Sequence, residues 1–85
     1  MATYKVLYWR EIPAQVRAED AEDEVTVPLA PRFMERIDQL AAQHGLQQAD
    51  DYLAQWRWSA EEERDGSAQE VADAVKDELE TQMDW

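Results

Sequence analysis

The sequence predicts an α+β fold: a short antiparallel β-sheet of about three strands packed against about three helices in two layers. Two patterns and one constraint lead there. Residues 3–30 are rich in β-branched and aromatic side chains that alternate with period two. From Pro31 onward the apolar positions recur at helical spacing instead. With 85 residues and no cysteine, the chain must be held by packing alone, in one domain over 1–85. Within it the expected segments are β-rich 3–30, a helical hairpin over 31–57, an acidic loop over 58–66 and a C-terminal helix over 67–83. A short sheet with helices on one face is the simplest way to bury all of these stripes.

The first strand is "TYKVLYW", Thr3 to Trp9. Tyr4, Val6 and Tyr8 share one side of it, and Lys5, Leu7 and Trp9 the other. Both sides are largely apolar, so the strand should be covered on more than one face. A second strand follows in "EIPAQVRA", where Ile12, Ala14, Val16 and Ala18 alternate with Pro13, Gln15 and Arg17. Pro13 lies near its start, where a missing donor is tolerated. "EDAEDE" repels itself and reads as a mobile hairpin loop. It lacks the glycine and alternating oxygens of a calcium loop. "VTVPL" is a third short strand, ended by Pro28 and Pro31.

Pro31 suits the first turn of a helix. Phe33, Ile37, Leu40, Ala41 and His44 then recur on one side, and Gly45 stands where a left-handed stop is wanted. A second short helix is expected from about Gln48 to Gln55. After the acidic run, Ser67-Ala68-Gln69-Glu70 has the form of a capping box. The helix it opens carries Val71, Val75, Leu79 and Met83 as its stripe, thickened by Ala68, Ala72 and Ala74.

The formal charge is −12, and it is unevenly spread. Residues 1–18 carry Lys5, Arg10 and Arg17 against Glu11, whereas residues 61–85 carry ten acids against Arg64 and Lys76. Such a field repels phosphate backbones and anionic bilayers, so neither nucleic acid nor a membrane is a favoured partner. It would attract a basic protein surface. No run approaches the roughly 18 apolar residues of a membrane span. The N-terminus has no secretion-like apolar stretch, which makes the cytoplasm the default location.

No residue pattern points to a reaction, a metal or a cofactor. His44 is the only histidine and sits at a helix end, where the dipole favours a cation. Asp73 and Asp77 form an i,i+4 pair that reads as a solvated acidic face. A phosphate-cradling glycine loop is missing. What the sequence does concentrate is tryptophan beside arginine: Trp9-Arg10 and Trp56-Arg57-Trp58. If the latter is extended, the two rings share a face with Arg57 opposite; if helical, they diverge. The β-rich composition and the loop that follows favour a helix ending near Gln55 and a short extended passage after it. One reading makes both rings core, with Arg57 paired to local acid such as Glu61 or Asp51. Tryptophan and arginine are also the commonest interface anchors. Trp9, Arg10, Arg57 and Trp58 are therefore the candidate partner-contact residues. Trp85 should fold back on the last helix or dock elsewhere.

Two other readings compete. Strand, helix, glycine turn and helix in "VTVPLAPRFMERIDQLAAQHGLQQADDYLAQW" match a ribbon-helix-helix DNA-binding order. The strand offers Thr26 but no basic or amide side chain to read bases, and the basic footprint is absent. A small cation or ligand could instead sit on the tryptophans beside acid.

Four stretches together, "YKVLYWREIPAQV", "VPLAPRFMERID", "YLAQWRW" and "GSAQEVADAV", resemble the small bacterial virulence factor domain family. The distinctive pieces are Tyr8-Trp9-Arg10-Glu11-Ile12-Pro13, Pro31-Arg32-Phe33, Trp56-Arg57-Trp58 and Gly66-Ser67. The resemblance implies a bacterial protein that occurs alone or fused to helical-repeat or scaffold-like segments. It implies no reaction, and no catalytic or metal residues carry over from it. The expectation is a non-enzymatic interaction or accessory module with a protein partner in the cytoplasm.

Overall fold

The hairpin that starts the chain sets the frame for the rest. In the computed structural model, which describes residues 1–45 and 49–82, β1 (Ala2–Trp9) and β2 (Ile12–Glu19) pair antiparallel across the two-residue turn Arg10-Glu11. Arg10 takes a left-handed conformation there, with φ of 56°. A side chain pays a steric penalty in that region, so neighbours must hold it in place. The amide of Arg10 donates to the Gln55 carbonyl at 3.1 Å, and its Nε to the Gln55 amide oxygen at 3.2 Å.

Pairing runs from Thr3↔Glu19 to Leu7↔Gln15 and resumes at Tyr8↔Pro13, leaving Ala14 as the extra residue of a bulge. That irregularity gives Pro13 a place in the sheet. The freed Ala14 carbonyl accepts the Leu29 amide at 3.0 Å. β3 (Glu24–Pro28) adds to the outer side of β2, and β4 (Trp56–Trp58) and β5 (Glu62–Arg64) both add to the other side of β1. Every pairing is antiparallel.

α1 (Pro31–Gln43) lies against β2, and α3 (Ala68–Gln82) lies across β1, β2 and β3. α1 buries Phe33, Ile37 and Ala41, one turn apart. It ends at His44, whose amide bonds the Leu40 carbonyl, and at Gly45 with φ of 68°. α3 buries Ala68, Val71, Ala72 and Val75. Two alanines in that set let the helix backbone approach the sheet closely. The core joins these to Val6, Trp9, Ile12, Val16 and Ala18.

The expected count of about three strands and about three helices is corrected by this architecture. The sheet has five strands, and two helices, of 13 and 15 residues, do the packing. α2 (Ala49–Leu53) is barely more than one turn. The stretch expected as an acidic loop over 58–66 contains β5, and the extended passage expected after Gln55 is β4, so the hairpin bounds of 31–57 run two residues too far. The cause is the open side of β1. Its backbone groups need partners, and the chain from Trp56 to Arg64 supplies them despite its acid. Gln48, the expected start of the second helix, and Met83 and Trp85, beyond Gln82, lie outside the described residues.

The supposedly mobile "EDAEDE" connector is an organised turn. Oδ1 of Asp20 accepts the amides of Glu22 and Asp23 at 2.8 and 2.7 Å, and Oδ2 accepts the Ala68 amide at 2.8 Å. Asp20 thus caps α3 from 48 residues away. Beside it the capping box forms as the sequence predicts: Glu70 N donates to Ser67 Oγ and Ser67 N to Glu70 Oε1, both at 3.2 Å. The amides of Ala68, Asp23 and Glu22, in that order of effect, hold the Asp20 carboxyl below its ordinary 3.8. A carboxyl depressed on folding contributes in full above its unfolded value and loses that contribution as the pH drops through its folded value. Asp20→Ala should therefore melt at a lower temperature than the parent, by the same gap at about pH 7 and about pH 5. At about pH 3 the gap should narrow in thermal melts followed by circular dichroism.

Candidate functional site: a cleft between the sheet and the last helix

Strand alternation sorts the four candidate contact residues. β4 pairs with β1 in the register Trp9↔Trp56, Tyr8↔Arg57 and Leu7↔Trp58. The extended form is the one adopted, so Trp56 and Trp58 share a side with Trp9 and Leu7, and Arg57 shares the other with Tyr8. The four residues do not make one surface.

Trp9 is a core residue with 0% exposure. Its Nε1 donates to the Tyr52 carbonyl at 3.0 Å, and its ring meets the Tyr52 ring at 5.6 Å between centroids. Tyr52 then meets half-buried Trp56 edge-on at 6.0 Å. Burial is the main reason the Tyr52 hydroxyl holds its proton above the ordinary range, with Asp38 adding to it. Trp9 thus offers no ring to a partner.

Trp58 is 41% exposed, but Lys5 Nζ sits 4.8 Å from its ring centroid. The face that could take a foreign cation already carries the protein's own.

Arg10 and Arg57 are brought together. Arg57 Nε and Nη2 both donate to the Arg10 carbonyl, at 3.3 and 3.2 Å. That fork fixes the guanidinium 5.6 Å from the Tyr8 ring centroid, while the Arg10 guanidinium sits 5.6 Å from that of Trp9. The partner expected for Arg57 was a carboxylate such as Glu61 or Asp51. The observed partner is a backbone carbonyl, and the Asp51 side chain lies outside the described residues. Among the described residues neither guanidinium meets a carboxylate.

Tyr8 leads into a cleft of about 250 Å³ between β1 and the second half of α3. Its floor is Tyr4, Val6 and Tyr8, and its far wall is Val75 and Leu79. The register explains why it is open on the near side. Trp58 opposes Leu7 but Glu62 opposes Tyr4, so the returning strand slips by one residue between them. Ser59 covers the slip: its amide donates to the Val6 carbonyl at 2.8 Å, and its Oγ accepts the Val6 amide at 2.8 Å. The strand bends away there, and Ser59 and Ala60 line the rim.

The far end of the cleft is acidic. Tyr4 donates its hydroxyl to Glu62 Oε2 at 2.8 Å, a bond that, with burial next, raises the phenol above its ordinary value. Glu78 is paired with Arg64, which holds its carboxyl down, whereas no cation pairs with Glu62 among the described residues. The cleft therefore has apolar walls, a guanidinium at the Tyr8 end and surplus carboxylate at the Tyr4 end.

Nothing in this arrangement assembles a nucleophile with a base. Ser59 Oγ is occupied by the backbone, and His44 is exposed at the end of α1. Among the described residues, no group of three or more His, Cys, Asp or Glu could hold a metal. Gln69 bonds Asp73 at 3.0 Å on the exposed side of α3. β3, the strand a ribbon-helix-helix protein would pair with a second chain, is paired with β2 from Glu24 to Pro28. Sequence reasoning missed Tyr4, Tyr8, Glu62 and Leu79 as a site. Tyr4, Val6 and Tyr8 were legible as one side of a strand, but without β5 nothing placed Glu62 beside them.

These features define a small α+β module with an open cleft between β1 and α3, flanked by charge of opposite sign at its two ends. The sequence profile of the family described as Virulence factor matches residues 7–85, and the chain belongs to that family. The match includes Tyr8, Ser59, Glu62 and Leu79 of the cleft, and Arg57 beside Tyr8, but begins after Tyr4 and Val6. No curated protein and no solved structure matches the chain. No helix among the described residues is long and apolar enough to cross a membrane.

Proposed function

We propose that this virulence factor family member is a non-enzymatic accessory module that binds a partner protein through the cleft between β1 and α3. The observation that carries the reading is the placement of Arg57: fixed by the Arg10 carbonyl, stacked on Tyr8, and facing outward without a carboxylate partner among the described residues. A cation pre-positioned over an aromatic ring loses little freedom on docking, which favours it as an anchor. Arg10 and Tyr8 support that anchor. Trp9 supports the turn from inside the core.

A photo-crosslinking residue at Ala60, on the cleft rim, should trap a distinct partner in cells. One at Thr26, on the exposed side of β3, should not. Arg57→Ala should reduce trapping at Ala60 while leaving the melting temperature within a few degrees. Equal trapping from both positions, or turnover of a metabolite by the purified chain that a single substitution abolishes, would overturn the reading.

A further inference from the structure

We propose that the cleft selects an extended peptide segment of another protein that is acidic at one end, apolar in the middle and basic at the other. This rests on the docking role of the cleft and adds the chemistry of what docks there.

Polarity along β1 is the ground for it. Tyr8 and Tyr4 are four residues apart on the same side of the strand, which spans about 13 Å, the length of about four extended residues. At the Tyr8 end stands Arg57, held by the Arg10 carbonyl. At the Tyr4 end stand Glu62 and Glu78 with only Arg64 between them. Between the ends lie Val6, Val75 and Leu79. A uniformly acidic segment would meet Arg57 but be repelled at Glu62. A uniformly basic one would meet Glu62 but be repelled at Arg57. An apolar segment without charge would leave both ends unused. Only a segment with opposite charges at its two ends satisfies both.

The cleft is smaller than the roughly 300–1,000 Å³ of a small-molecule site, which fits side chains from a passing chain better than an enclosed ligand. A second copy of this chain is disfavoured by the mutual repulsion of two molecules of charge −12.

Four fluorescent hexapeptides test the proposal by anisotropy at low salt: Asp-Asp-Leu-Phe-Lys-Lys, an all-acid version with Asp for Lys, an all-basic version with Lys for Asp, and one with Ser-Ser for Leu-Phe. Amide shifts of the labelled protein locate each. The mixed-charge peptide should bind about 5-fold or more tighter than the other three and move the amides of Val6, Tyr8, Val75 and Leu79. Arg57→Glu should weaken it about 5-fold or more and make the all-basic peptide the better ligand. Glu62→Lys should do the mirror image with the all-acid peptide. The double variant R57E/E62K inverts the cleft, and the mixed peptide should regain binding by lying the other way round. All-acid or serine peptides binding the cleft as well as the mixed one would overturn the polarity rule while leaving the docking role standing. No peptide of any composition moving the cleft amides would overturn both.

Discussion

Trp9→Ala should unfold the protein at ordinary temperatures or bring it to the edge of unfolding. Removing a fully buried Trp costs about 3–5 kcal/mol. At roughly 0.05–0.15 kcal/mol per residue, 85 residues give a total stability of about 4–13 kcal/mol. A loss of that size lowers Tm by at least about 12 °C. The mechanism is local and can be dissected. The ring fills the space under Tyr52, and its N–H satisfies the Tyr52 carbonyl at the end of α2. Trp9→Phe keeps much of the bulk and removes one of two donors to that carbonyl, which the Gln55 amide still bonds at 3.3 Å, so it should cost less, with about 0.5–1.5 kcal/mol for the lost bond. Trp58→Ala, at a ring 41% exposed, should cost less than Trp9→Ala, about 1–2 kcal/mol, since the contact with Lys5 and the covered part of the ring are lost. Urea titrations of the three variants check the order. Equal costs at Trp9 and Trp58 would contradict the burial assigned to them.

Phe33→Ala should be nearly as damaging, again about 3–5 kcal/mol. α1 buries Phe33, Ile37 and Ala41 and rests on β2. Phe33 is 0% exposed and the largest of the three, so its removal leaves one isoleucine and one alanine to hold the helix. Amide exchange across Pro31–Gln43 should accelerate more than exchange across Ala68–Gln82, because α3 keeps its own four buried side chains. Met34→Ala, at an exposed neighbour, should change stability by no more than about 0.5 kcal/mol. Equal acceleration in both helices would mean that α1 is not a separately anchored element.

Features written in local chemistry were legible in the sequence. The alternation of β1, the start of α1 at Pro31, its stop at Gly45 and the Ser67–Glu70 capping box each depend on residues within one turn or one strand. Features decided by distant partners were not. Glu62-Glu63-Arg64 has no strand-like composition; it is extended because β1 has an unpaired side there. Asp20 looked like one more charge in a repelling run, and only the approach of Ala68 makes it a cap. The candidate site divides the same way. The extended form of Trp56-Arg57-Trp58 was legible from its composition and the loop after it, and alternation then separates Arg57 from the rings. The sequence could not show that Trp9 is sealed beneath Tyr52, that Lys5 covers Trp58, or that Arg57 is fixed by the Arg10 carbonyl.

The slipped return strand bears also on the protein's behaviour in crowded solution. One border of the sheet is β3, five residues long, with an acid at its start and a donor-less proline at its end. The other is cut by the slip at Ser59 into two pieces of three residues each. Neither border presents a long straight template on which a like molecule could add strand after strand. The same kink that opens the cleft thus guards the sheet against cross-β stacking, and the molecule can leave that cleft uncovered without offering a template for its own fibres.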